Sequence, residues 1–298
     1  MLRFGVAGYP LAYKASEHGR SRFAIMPWLA DLGLDALELQ MTYGPRTTVE
    51  NCRNLRCAAS DHGITLSVHA SYFIVLTSSD NAKIRRSIDT LKRTCDLAGE
   101  LGATVAVLHP GSTYQGADAA LARFIDNATQ FEAEYGRSTV GVFVESAGKL
   151  GQLGSVPEIL SIAGALSGFH PCIDFGHVHA RTLGGLATAD AVGSLFRTLE
   201  GFMFANPGKR WHFHFTPIHY GAKGEIQHRA IHDRYPVLEP AQAGAVGASS
   251  ADGYYHPRPG NVARWFKGIT RDTTVISETH NSQEQGATAL RDYLVPVP

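Results

Sequence analysis

The sequence predicts a single (β/α)8 TIM barrel over residues 1–298, with a metal site at the C-terminal mouth of the barrel. Three observations predict this fold class. Eight short apolar runs, rich in Val, Ile and Phe, are typical of buried parallel strands. Segments long enough for a helix follow most of these runs. Acidic or imidazole side chains close at least six of the runs, and the C-terminal ends of all barrel strands face the same mouth.

The eight predicted strands follow one another at intervals that leave room for helices. The clearest helix lies between Ile84 and Leu101, where apolar residues recur every three to four positions, as one buried helix face requires. Gly102 follows this helix and suits a C-cap. The strands are expected near Phe4–Gly8, Ala36–Met41, Thr65–His69, Val105–His109, Val140–Glu145, Cys172–Phe175, Trp211–Phe215 and Thr274–Glu278.

One stretch, Pro217–Asn261, does not fit the repeat. It contains the small, Gly-rich sequence AQAGAVGASSADG and is too long for an ordinary connection between a strand and a helix. The sequence predicts an irregular insertion here, which is either a mobile loop over the mouth or a surface insertion without function. No Ser- or Pro-rich linker divides the chain, so one domain is expected.

The overall charge of the chain does not attract it to a charged partner. The chain carries 27 Lys and Arg against 27 Asp and Glu, so its net charge is zero and any nucleic-acid contact must rest on a local patch. No signal peptide and no apolar window long enough for a membrane span is recognised, so we expect a cytoplasmic protein with neither a membrane nor a protein partner. No CxxC is present, and small buried cysteines in a reducing compartment are expected at Cys52, Cys57, Cys95 and Cys172.

The strand ends carry residue types that bind metal ions. Burying many polar groups side by side is costly unless something satisfies them, and a divalent cation removes the repulsion between neighbouring carboxylates. Imidazole together with carboxylate suits zinc, with manganese or iron as alternatives. The candidate ligands are His69, His109, Glu145, Asp174, His214 and Glu278, joined by His177 on the loop after the sixth strand and by His228 as the best further ligand.

Three residues near the mouth are candidates for substrate contact. Tyr72 and Phe73 follow the third strand, where they either pack over the barrel rim or wedge into a substrate. Arg46 follows the second strand and is either a phosphate contact or an ordinary loop arginine. Alternation along the seventh strand places His212 and His214 on one side, with His214 nearer the mouth.

The motifs HASYFI, LHPGS, VESAGKLGQLGS, CIDFGHVHA, HFT and SET resemble, in order and spacing, those of the endonuclease IV family of apurinic/apyrimidinic endonucleases. That family has a xylose isomerase-like TIM barrel and three zinc ions. By this resemblance, Tyr72 and Phe73 stand where family members carry the side chains that enter DNA at the lesion. The implied ligands are His69, His109 and Glu145 for a first zinc, Glu145, Asp174, His214 and Glu278 for a second, and His177 and His228 for a third.

The resemblance implies an enzyme that hydrolyses the phosphodiester 5′ to an abasic site in damaged double-stranded DNA, with two or three zinc ions as cofactors. Glu145, as the bridging carboxylate, would orient the nucleophile. The stretch HFHFTPIHYGAKGEIQH is most similar to a less typical, archaeal-like branch of the family. The chain departs from the family pattern at Ala70, where the usual residue is Asp. It also lacks the Asp-x-His pair of the third zinc, for which Glu225 or Asp233 would supply the acid.

The alternative is a single-metal sugar isomerase or epimerase on the same barrel. The zero net charge favours this alternative, because proteins that bind duplexes usually carry a basic face. It leaves three of the histidine candidates without a role, so the nuclease is the leading prediction. A metal-stabilised binding protein without catalysis comes third. The epimerase chemistry needs one ion held by two Glu, an Asp and a His, with the two Glu moving protons at a sugar carbon, and the chain supplies Glu145, Asp174, His214 and Glu278.

Overall fold

The computed structural model describes residues 1–114, 116–136, 138–235 and 252–294. Within these residues, eight parallel strands close into a barrel, which confirms the predicted fold class. An antiparallel pair, β8 (Ile218–Gly221) and β9 (Gly224–His228), stands outside the barrel. The barrel strands are β1 (Leu2–Ala7), β2 (Ala36–Gln40), β3 (Thr65–His69), β4 (Val105–Leu108), β5 (Gly141–Glu145), β6 (Phe169–Asp174), β7 (His212–Phe215) and β10 (Thr273–Ser277).

Helices cover the outside of the barrel and follow most strands. Several begin at a side-chain cap; for example, Ser155 and Glu158 form a reciprocal capping box at the start of the sixth helix. Short 3-10 helices lie at Glu17–Arg20 and Arg264–Phe266. The α-helices are α1 (Leu11–Ala15), α2 (Ile25–Asp31), α3 (Val49–Asp61), α4 (Asn81–Glu100), α5 (Ala117–Tyr135), α6 (Val156–Ala165), α7 (Phe175–Arg181), α8 (Ala189–Ala205), α9 (Pro259–Ala263) and α10 (Gln283–Leu294).

Alternation along each strand sends one set of side chains to the helix layer and the other set into the barrel. The outward set joins the large apolar core; Phe213, for instance, stacks on Phe175 with ring centroids 5.5 Å apart. The inward set includes a small apolar cluster of Val107, Phe143 and Cys172. At the mouth the inward set becomes polar, so the fold delivers imidazoles and carboxylates to one place.

The described parts of the stretch predicted as an irregular insertion, Pro217–Asn261, contain regular elements. The stretch begins with an antiparallel hairpin of β8 (Ile218–Gly221) and β9 (Gly224–His228), and it ends in α9. The sequence analysis did not predict this hairpin, because β9 is short and largely polar and therefore forms no apolar run. The residues 236–251, which hold most of the Gly-rich sequence, lie outside the described residues.

Two smaller expectations also need correction. His177 lies in α7 rather than on a loop, because Asp174 ends β6 and directly caps the helix by accepting a hydrogen bond from the His177 amide at 2.7 Å. Cys57 is exposed on α3, whereas Cys52, Cys95 and Cys172 are buried as expected. In the part of the chain that the structure describes, no helix is long and apolar enough to cross a membrane.

Candidate metal centre

Glu145 lies at the centre of the barrel mouth and is fully buried. Its Oε2 atom is 3.2 Å from Nε2 of His69 and 3.3 Å from Nε2 of His109. The potential ligand atoms of these three residues lie within 4.8 Å of one another. The ends of β3, β4 and β5 thus bring together the first predicted ligand set.

The second predicted set shares Glu145 through its other oxygen. Oε1 of Glu145 is 3.1 Å from Nδ1 of His214, and Nδ1 is 3.6 Å from Oε1 of Glu278. One oxygen of Asp174 caps α7, while the other is buried without a hydrogen-bond partner among the described residues. A buried carboxylate oxygen without a partner is costly, and a cation in this cluster would satisfy it.

The third cluster consists of His177, Glu225 and His228, so Glu225 is the acid that lies beside the two imidazoles. Nε2 of His177 lies 3.2 Å from Nε2 of His228 and 3.7 Å from Oε2 of Glu225. Asp233 instead accepts a hydrogen bond from the Ala230 amide at 3.1 Å within its own turn. Glu225 therefore occupies the position that the sequence left open between two acids.

A glycine makes room for this third cluster. A Cβ at position 148 would lie 2.7 Å from Cβ of Glu225 and 2.8 Å from its Oε2. Nδ1 of His177 is 2.8 Å from the Ser146 carbonyl oxygen, which turns Nε2 of the ring toward Glu225 and His228. The loop after β5 thus holds both sides of the cluster.

Glu38 is a site residue that the sequence analysis missed. It is fully buried in β2, below the mouth. Its Oε2 accepts a hydrogen bond from Ser67 at 2.9 Å and lies 3.0 Å from Nε2 of His212, and its Oε1 lies 3.1 Å from Nε2 of His214. A carboxylate beside the far nitrogen of a ligand histidine favours one orientation of the ring, and Nδ1 of His214 faces Glu145 and Glu278. The available signal was a single acid inside the apolar run of the second strand.

Close packing of opposite charges changes the acidity of these groups. Burial alone would raise the pKa of Glu145, but His109 and His214 hold it well below its usual range. Burial alone would lower the pKa of His69, but its contact with Glu145 raises the pKa to about 9. Burial lowers the pKa of His109 to about 3. Burial thus favours the neutral form of the His109 imidazole, which is the form that binds metal ions.

The donor set fits divalent metal ions. Imidazole nitrogens and carboxylate oxygens are the ligand types of zinc sites, and manganese accepts the same carboxylates. Eight of the residues in the three clusters were predicted from the sequence; Glu225 completes the third. They are His69, His109, Glu145, Asp174, His177, His214, Glu225, His228 and Glu278.

The predicted substrate contacts do not all lie at this centre. A cavity of about 430 Å³ opens above the clusters and is lined by Tyr72, Lys149 and several of the candidate ligands. Tyr72 is 58% exposed, with its ring centroid 5.4 Å from that of His109, and the neighbouring Phe73 is 70% exposed. Arg46 lines a different cavity, beside β1 and β2.

Comparison with known proteins gives the family. The sequence profile described as "xylose isomerase-like TIM barrel" matches residues 26–238. An uncharacterized protein of the archaeon Methanocaldococcus jannaschii is 27% identical over 241 residues, which cover 78% of this chain and 83% of the relative.

Solved structures with the same barrel include both nucleases and epimerases. Endonuclease IV of Thermus thermophilus has a TM-score of 0.63 and 16% identity, covering 99% of this chain and all of the other. SacUVDE has a TM-score of 0.62 and 16% identity, covering 98% and 97%. A D-tagatose 3-epimerase-like protein has a TM-score of 0.65 and 16% identity, covering 98% and 97%. Identities this low establish the fold alone. The chain belongs to the xylose isomerase-like TIM barrel family, as its motifs predicted.

Proposed function

We propose that this protein is a cytoplasmic, zinc-dependent apurinic/apyrimidinic endonuclease that hydrolyses the phosphodiester 5′ to an abasic site in DNA. One observation carries the proposal. The described residues hold four clusters of ligand atoms; the one formed by Glu38, His212 and His214 lies below the mouth, while the other three adjoin at the mouth, and Glu145 belongs to two of these three. Several cations held side by side suit a phosphodiester, whose hydrolysis places charge on the attacking, leaving and non-bridging oxygens.

The epimerase alternative uses only part of this arrangement. Its single-metal quartet corresponds to the second cluster, formed by Glu145, Asp174, His214 and Glu278. It assigns no function to the paired imidazoles of His69 and His109. It also assigns none to the third cluster on α7 and β9. Two of the three clusters would then have no role in catalysis, although burying their polar groups is costly.

The side chains of the site have separate parts in the proposed reaction. When bound, the metal ions lower the pKa of a coordinated water and offset charge on the phosphate. Glu145 is a carboxylate whose two oxygens face different clusters, so it fixes their separation and orients the attacking water. His109, whose neutral form burial favours, is available as a nitrogen ligand, and Lys149 places a positive charge on the cavity wall.

The rim of the cavity supports a substrate larger than a free sugar. The exposed ring of Tyr72 projects beside the candidate ligands, where a sugar enzyme would close its site against water, and the neighbouring Phe73 is exposed as well. Stacking of a base on an aromatic side chain contributes about 1–3 kcal/mol. An abasic nucleotide has no base to unstack, so its rotation into the cavity costs little.

The test is cleavage of a duplex that carries a tetrahydrofuran abasic analogue, by zinc-loaded protein. We expect incision 5′ to the lesion, and we expect His109→Ala to lose at least about a hundredfold in rate because a ligand of the first cluster is gone. His62→Ala, at an exposed position on the surface, is the matched control and should cleave normally.

The opposite pattern would support the alternative. An epimerase would leave the duplex intact, would interconvert ketose epimers with one manganese or cobalt ion, and would tolerate His109→Ala. That pattern would refute the nuclease proposal.

A further inference from the structure

A second cavity lies on the same face of the barrel, at the C-terminal ends of β1 and β2. Its volume is about 580 Å³, in the range of small-molecule sites. Three cationic side chains, Lys14, Arg22 and Arg46, line it. No Asp or Glu lines the described part of its wall, and its other polar side chains belong to Tyr9, Gln40, Thr47, Asn51 and Gln283.

The cavity is a direct neighbour of the candidate metal centre. Gln40, on its wall, pairs in register with His69 of the first cluster. The next residue, Met41, also lines the cavity and donates a backbone hydrogen bond to the His69 carbonyl at 2.8 Å. The two cavities therefore lie beside adjacent strands, β2 and β3, on one face of the barrel.

The positive charge of this cavity is not neutralised by the protein. Elsewhere on the surface some cations are paired; Arg53, for instance, donates to Glu100 at 2.8 Å. Within residues 1–114, 116–136, 138–235 and 252–294, neither Lys14 nor Arg22 nor Arg46 forms an ion pair. The described wall of this cavity therefore carries three cationic side chains and no carboxylate to balance them.

One of the three cations is held in place by its surroundings. The Arg22 guanidinium lies beside the Tyr9 hydroxyl, where it counteracts part of the rise that burial imposes on the pKa of that phenol. The Tyr9 hydroxyl in turn donates a hydrogen bond to the Arg22 carbonyl at 3.3 Å. Arg22 is thus oriented along the cavity wall.

We propose that this cavity binds a phosphate group. Guanidinium groups match phosphate oxygens with paired N–H donors, a lysine adds a point charge, and the amides of Gln40 and Asn51 supply neutral donors. The same chemistry is presented by a phosphodiester of a nucleic-acid strand and by a phosphate monoester. The first source rests on the proposed nuclease function, in which the cavity holds a backbone phosphate beside the lesion; the second does not.

The experiment compares Arg22→Gln with Arg20→Gln in the full-length, metal-loaded protein. Arg20 is an exposed arginine of the same segment that does not line the cavity. Calorimetry measures binding of inorganic phosphate, and fluorescence anisotropy measures binding of an undamaged duplex over a range of salt concentrations. Elemental analysis confirms that the variants keep the metal content of the wild type.

Two results support the proposal and one overturns it. A nucleic-acid source predicts that Arg22→Gln weakens duplex binding about tenfold and lowers the slope of log affinity against log salt by about one. A monoester source predicts that Arg22→Gln weakens phosphate binding about tenfold and leaves duplex binding unchanged. If Arg22→Gln and Arg20→Gln bind both probes equally well, the cavity is no phosphate site. The phosphate titration compares phosphate binding by wild type and Arg22→Gln, so it tests the cavity even if the wild type does not cleave abasic DNA.

Discussion

Replacing Glu38 by Gln should weaken metal binding although Glu38 is not expected to touch a metal ion. The carboxylate has two acceptor oxygens, within 3.1 Å of Nε2 of His214 and 3.0 Å of Nε2 of His212. A glutamine of the same shape keeps one acceptor and presents an NH2 group at the other position. One of the two imidazoles then faces a donor where it had an acceptor, and His214 loses the contact that aims Nδ1 at the second cluster.

The expected loss of metal affinity can be taken from other metal sites in which a carboxylate contacts a ligand histidine. Loss of the carboxylate behind a ligand histidine typically costs 10–100-fold in metal affinity, which corresponds to about 1.4–2.7 kcal/mol. The value should lie in the upper half of this range, because Glu38 and His214 are both fully buried and no water can replace the lost contact. Titration of the metal-free protein with zinc against a chromophoric chelator measures the affinity.

The control is Asp35→Asn, at the residue just before the same strand. Asp35 accepts a hydrogen bond from the Phe4 amide at 2.7 Å, far from the mouth, so its amide variant should bind zinc like the wild type. Urea unfolding of both variants separates stability from affinity. If Glu38→Gln binds zinc within twofold of the wild type, Glu38 is only a structural residue and the reasoning is refuted.

Three further predictions concern the third cluster, the aromatic rim of the cavity and the buried His179. Glu225→Gln should lose one zinc per chain and Asp233→Asn none, by elemental analysis; equal losses would contradict the assignment. Tyr72→Ala and Phe73→Ala should each weaken binding of an abasic duplex about tenfold at constant metal content, and an unchanged Kd would remove these rings from the site. Burial holds the pKa of His179 at about 3, below its unfolded value of about 6.5. The free energy of unfolding should therefore fall from pH 6.5 toward 3, and His179→Phe should reduce the slope by about 1.4 kcal/mol per pH unit. Urea unfolding at several pH values checks this, and an unchanged slope would contradict it.

The barrel and its first two ligand clusters were predictable because one geometric rule governs them. Parallel strands in a closed barrel share a mouth, so a polar residue at each strand end must arrive there. The rule needs only the position of the residue in its own strand. Glu145 and His214 satisfy it by closing apolar runs, and no long-range contact had to be known.

The remaining features depend on packing that the local pattern does not contain. Glu225 reaches the third cluster because the β8–β9 hairpin folds onto the loop after β5, where Gly148 leaves space for it. Glu38 lies inside a strand, and only the closed barrel brings it to histidines far along the chain. Arg46 follows the second strand as predicted, but its loop carries it into the neighbouring cavity.

The number of zinc ions bound per chain tests the central claim most directly. The protein is saturated with zinc, freed of loosely bound metal by gel filtration, and measured by elemental analysis against its protein concentration. The three clusters predict three ions per chain. A single tightly bound ion would contradict the multi-metal centre and would favour the sugar-epimerase chemistry of the second cluster alone.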